Sequence, residues 1–116
     1  MSITRYEAGK RMSQAVVHGN TVYLAGQVAA DYNGTIEKQT TEVLEAVDRL
    51  LAQAGTSKAK LLTIQVILNN IGDFAAMNTV YDAWIDPANP PTRACIEARL
   101  AHPSLKVEVI AVAALD

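Results

Sequence analysis

The chain has a single cysteine, Cys95, so no disulfide can form within it. Aromatic residues make up only 5% of the sequence, too few for a base-stacking platform. Basic residues do not exceed acidic ones: 10 against 12 leave a net charge of −2. That balance gives no electrostatic footprint for nucleic acid or for an anionic membrane. The longest apolar stretch, after Glu108, falls far short of the roughly 20 residues that a spanning helix needs. The opening residues, MSITRYEAGKR, are too polar for a secretory signal, and a cytoplasmic protein is expected. There is no glycine-rich dinucleotide or Walker-type loop, no HExxH and no cysteine pair for zinc.

What remains is a chain that can fold. Half of its 116 residues are apolar and 19% are charged, which suits one domain with a buried core spanning residues 1–116. From Ala15 to Gln27, two β-prone segments flank a His-Gly-Asn turn, where Gly19 and Asn20 tolerate positive φ, and a hairpin is expected. Beyond the DYNG turn, Val43, Leu44, Val47, Leu50, Leu51 and Ala54 recur at helical spacing up to a C-cap at Gly55. Lys60 to Asn70 reads as a strand. Asp73 can cap a second helix with Phe74, Met77, Tyr81 and Trp84 on one stripe, and DPANPP stops it. Strands follow at Arg93–Leu100 and Lys106–Ala114, with a short extra one near Ile3–Tyr6. The order β-β-α-β-α-β-β predicts an α+β fold, a mixed sheet with both helices on one face.

Alternation then assigns faces. Leu62, Ile64, Val66 and Leu68 point one way; Ile67 points the other, as do Ile110 and Val112. A second face carrying those three would be an apolar patch in water, and self-association covers it most simply. A flat peripheral face on a monomer is the alternative.

The candidates for chemistry lie in PPTRACIEARL and KVEVIA. Ala94, Ile96, Ala98 and Leu100 suit the face under the helices, which places Arg93, Cys95, Glu97 and Arg99 on the second face beside Glu108. A guanidinium fits a carboxylate in bidentate fashion, and a glutamate can hold a water and take its proton. The plainer reading is that Arg93 pairs with Glu97 or Glu108 to join strands. Cys95 reads as a small buried apolar residue, Met12 and Trp84 as packing residues, and Asn78 as a surface or capping amide. His18 and His102 fall in turns and form no ligand cluster.

Three stretches, SQAVVHGNTVYLAGQV (Ser13–Val28), DFAAMNTVYDAW (Asp73–Trp84) and PPTRACIEARLAHPSLKVEVIAV (Pro90–Val112), together resemble the reactive-intermediate deaminase (RidA/YjgF-like) family. The resemblance implies a chorismate-mutase-like α+β fold and a homotrimer with a pocket at each subunit interface. It also implies hydrolysis of reactive imines and enamines to 2-keto acids and ammonia, with no cofactor or metal. Arg93 would clamp the substrate carboxylate and Glu108 would orient the water. The backbone at Cys95 and Gly26 would line the pocket, and Asn78 would support it. Two positions depart from many members of the family, Met12 for a tyrosine and Ala25 for a small hydroxyl residue, and both make the pocket less polar. The rival expectation is a non-catalytic oligomer that binds a 2-keto acid or has a regulatory role.

Overall fold

The structure, a computed structural model, describes residues 1–116. Strands β1 (Ile3–Tyr6), β2 (Ala15–His18), β3 (Thr21–Leu24) and β4 (Gln27–Val28) precede helix α1 (Ile36–Ala54). Strand β5 (Leu61–Leu68), helix α2 (Phe74–Trp84), and strands β6 (Thr92–Glu97) and β7 (Val107–Ala114) complete the chain. The expected α+β order is observed, with the two-residue strand β4 added and β6 ending at Glu97 instead of Leu100.

The β2–β3 hairpin closes through Gly19 and Asn20, with His18 opposite Thr21. Only Gly19 takes a positive φ, 62°, so the freedom expected of both turn residues is used by the first alone. Thr35 caps α1 by accepting the Lys38 N–H at 3.2 Å, and the helix ends at the expected left-handed Gly55. Asp73 makes no side-chain cap on α2. Asn70 caps the turn before it instead, accepting the Gly72 N–H at 2.8 Å.

One sheet holds the strands in the order β1-β2-β3-β7-β5-β6, with β4 also paired to β7. The pair β5–β6 is parallel and the others are antiparallel, so the sheet is mixed and α2 is the crossover. Both helices lie on one face. Val43, Leu44, Val47, Leu50 and Leu51 of α1, with Met77 and Tyr81 of α2, bury against Ile64, Val66 and Leu68 of β5 and alternate residues of β7. The smallest molecular dimension is 19 Å, about one helix layer on one sheet layer.

A bulge between Leu61 and Thr63 corrects one face assignment. Leu61 is buried and Leu62 is half exposed, because the extra residue shifts the alternation before it resumes at Ile64. The opposite face carries Val16, Tyr23, Ile67, Ile96, Ile110 and Val112, none of them fully buried, and no element of the chain covers it. This is the apolar second face expected from Ile67, Ile110 and Val112.

Candidate active site

Register settles where the site residues point. Arg93 pairs with Ile64 and Cys95 with Val66, both core residues, so the two side chains lie on the helix face. Ala94 and Ile96 take the open face with Gln65 and Ile67. The expected faces of this strand are therefore exchanged. Alternation fixes which residues share a side, but only the parallel register to β5 fixes which side that is.

At the sheet edge, Arg93 reaches across to α2. Its Nη1 donates to Asn78 Oδ1 at 2.7 Å. Its guanidinium carbon lies 4.7 Å from the centre of the Tyr81 ring and 5.7 Å from that of Phe74. Phe74, Asn78 and Tyr81 are spaced i, i+4, i+7, so a single helix stripe supports the guanidinium. Arg93 belongs to neither ion pair of the chain, Lys38–Asp31 or Arg49–Glu7. The plainer expectation, an Arg93 pair with Glu97 or Glu108, does not hold. Glu97 instead accepts the Ile71 N–H at 2.9 Å, fixing the turn that opens α2. Asn78, expected as a surface or capping amide, spends its carbonyl on the arginine.

Burial pushes the Cys95 thiol up, although the nearby guanidinium draws it back. Cys95 packs against the core as the small apolar residue expected. Burial likewise pushes the Tyr81 phenol up, against the opposite pull of Arg93.

Glu108 pairs with Ile67 and Val28 and does face the open side of the sheet, as expected. Its carboxylate lies against the backbone of Gly26. A Cβ there would stand 2.8 Å from Glu108 Cδ and closer still to the oxygen, so only glycine leaves the carboxylate its place. The Ala25–Gly26 segment is held by Gln27, buried beneath it, whose Nε2 donates to Gln14 Oε1 at 2.9 Å and to Ala25 O at 3.0 Å. Met12 stands half exposed on the loop leading into β2, not packed in the core as expected. Trp84 does pack against the core, and its Nε1 donates to Asp48 Oδ2 at 2.8 Å.

The candidate residues thus form two groups. Arg93 and Asn78, with Cys95 beside them, lie at the β6 edge on the helix face. Glu108 and Gly26, with Ala25 next in the chain, lie near the start of β7 on the open face. The protomer has two concavities, of about 340 and 320 Å³. The first runs past Lys60 and Pro90, the second past Asn69 and Arg99, and neither includes Arg93 or Glu108. Sequence reasoning missed the roles of Tyr81 and Phe74, although their spacing from Asn78 was readable once Arg93 was placed over α2.

A mixed sheet with two helices on one face is the chorismate-mutase-like α+β fold. The chain belongs to the family described as Endoribonuclease L-PSP, whose pattern matches residues 2–115, the RidA/YjgF-like family its motifs pointed to. It is 40% identical to a RutC family protein of Haemophilus ducreyi, covering 98% of this chain and 97% of the relative. The RutC family protein YoaB of Escherichia coli is 36% identical, over 99% of this chain and 100% of the relative. A YjgF-family crystal structure from Neisseria meningitidis superposes with a TM-score of 0.97 at 39% identity, covering 100% of this chain and 97% of that one. An uncharacterised protein from Pseudomonas aeruginosa does so with a TM-score of 0.96 at 43% identity, covering 99% and 100%.

Proposed function

We propose that the chain is a hydrolytic deaminase of reactive 2-imino and enamine acids, acting as a homotrimer whose pockets lie between copies. The observation that carries this reading is Arg93. It is an arginine with no carboxylate partner, anchored through Nη1, so that its Nε–Nη2 edge remains for a planar anion. Arg93 and Glu108 point to opposite faces of one sheet, so a single pocket draws the arginine from one copy and the glutamate from its neighbour. The uncovered apolar face bearing Ile110 and Val112 supplies the surface for that contact.

In such a pocket Arg93 clamps the substrate carboxylate and Asn78 fixes the clamp. Glu108 orients a water toward the iminium carbon and takes its proton as the new C–O bond forms. The C=N π pair passes to nitrogen, giving a carbinolamine. Proton transfer to that nitrogen and loss of the hydroxyl proton then release ammonia and the 2-keto acid. An iminium carbon is already electrophilic, so the site contributes orientation and a proton acceptor. The backbone at Gly26 and Cys95 lines the pocket, and Met12 and Ala25 leave its wall less polar. A nuclease would instead need cations along a phosphate track, and Arg93 is one guanidinium between aromatic rings.

The test couples an amino-acid oxidase to keto-acid detection, with semicarbazide competing for the imine. Wild-type protein should divert the imine to keto acid, and Arg93→Ala should abolish this while leaving fold and assembly intact. An assembled wild-type protein that binds 2-keto acids and accelerates no imine in the panel would replace the enzyme with a ligand-binding oligomer.

A further inference from the structure

Arg93 is rooted on an edge strand, and nothing on its own strand restrains its long side chain laterally. Its position is set from α2. Tyr81, 7% exposed and part of the core, lies 4.7 Å from the guanidinium carbon. Phe74, 41% exposed, lies 5.7 Å away, and Asn78 between them in sequence takes one N–H. Both distances are within the range where an aromatic face attracts a cation. The helix that carries these groups is itself tied to β6 by Glu97, which accepts the Ile71 N–H. Strand and helix are therefore joined, apart from Arg93 itself, at the N-terminal end of the stripe that supports the arginine.

We infer that Tyr81, with Phe74, is a positioning residue for substrate: its ring holds the Arg93 guanidinium with the free edge turned outward, ready for a carboxylate. This deepens the proposed function and rests on its assignment of Arg93 as the clamp. The ring, not the hydroxyl, carries the role. Its loss releases a mobile arginine that must be ordered again each time an acid binds, so binding weakens while the chemical step, once the acid is held, is unchanged. A tyrosine serving only the core would instead change stability and leave binding alone.

The experiment compares wild type, Tyr81→Phe, Tyr81→Leu and Phe74→Leu in two assays. One is titration with 2-oxobutanoate followed by calorimetry, and the other is steady-state imine hydrolysis. Only protein that is folded and assembled by circular dichroism and sedimentation is used. Tyr81→Leu should raise Kd and KM roughly tenfold with kcat within about twofold, and Tyr81→Phe should restore both. Phe74→Leu, at an exposed position that does not threaten folding, should raise Kd by about two- to threefold. Unchanged Kd in both leucine variants would overturn the inference, as would a loss in Tyr81→Phe equal to that in Tyr81→Leu. If Tyr81→Leu does not fold, Phe74→Leu alone decides. Wild-type protein that binds the keto acid but turns over no imine sinks the hydrolase reading. The Kd ratios would then still judge the two rings.

Discussion

The two faces of the sheet each carry half of the candidate site, and they hold it by different means. On the helix face, Arg93 sits at an edge and is held by side chains, an amide and two rings from α2. On the open face, Glu108 belongs to the central strand and lies against backbone, at a glycine where no side chain fits. Side-chain supports can be weakened one at a time, and the arginine loses order gradually. A backbone contact is present or absent. The supports of Arg93 should therefore give graded effects, whereas any side chain at Gly26 should act as a switch.

The sharpest test asks whether the halves meet across copies. Arg93→Ala and Glu108→Gln should each keep about 1% of wild-type activity or less alone. Refolded together at equal ratio, they should recover about one quarter of wild-type activity, because a quarter of the interfaces then join an intact arginine to an intact glutamate. No recovery in verified mixed oligomers would put both groups in one copy. Next in size is Gly26→Ala. The end of the Glu108 side chain can swing away from the new methyl, so the fold should persist. With the carboxylate displaced, kcat should fall about 100-fold, close to the effect of Glu108→Gln. Wild-type kcat would remove Glu108 from the chemistry. Asn78→Ala should do less, raising KM about tenfold with little change in kcat, since the two rings still hold the guanidinium. A fall in kcat alone would mean that Asn78 touches the reacting atoms.

The smallest effect expected is on stability at high pH. Burial raises the Tyr81 phenol above its ordinary 10.0. The folded state then keeps a proton that the unfolded chain has given up. Stability should be flat below the ordinary value and decline above it. Denaturant unfolding of wild type and Tyr81→Phe from about pH 8 to about pH 11 checks this: the decline should be steeper in wild type.

Much of the fold was legible because it is written in local patterns. The α1 stripe from Val43 to Ala54, the glycine turn at Gly19 and the proline stop after Trp84 each needed only a few neighbouring residues. The open face was legible too, since Ile110 and Val112 repeat at strand spacing and Ile67 shares their side, with Thr63, Gln65 and Glu108 among them. The face of β6 was not. Ala94, Ile96 and Ala98 look more like core residues than Arg93, Cys95 and Glu97 do. Only pairing with β5, across the whole α2 crossover, shows that the polar row lies under the helix. The shift at Leu62 escaped for a similar reason, because a bulge leaves no mark in composition. In the site, family motifs brought Arg93, Glu108, Gly26 and Asn78 into view. The rings of Phe74 and Tyr81 stayed hidden while Arg93 was placed on the wrong side of the strand.

The position of β7 between β3 and β5 has a consequence for how the chain comes to be folded. During synthesis the strands β1 to β3 emerge first and β5 and β6 later, yet the sheet joins these two sets only through β7. Of this sheet's strands, the one latest in sequence is the one at the centre. Until Val107–Ala114 has left the ribosome, the nascent chain holds two half-sheets with open edges and apolar faces, and α1 has only part of its floor. The sheet is thus completed in one step, when β7 joins the two sets, rather than built up strand by strand along the chain. This domain exposes the most unpaired edge and apolar face just before β7 arrives.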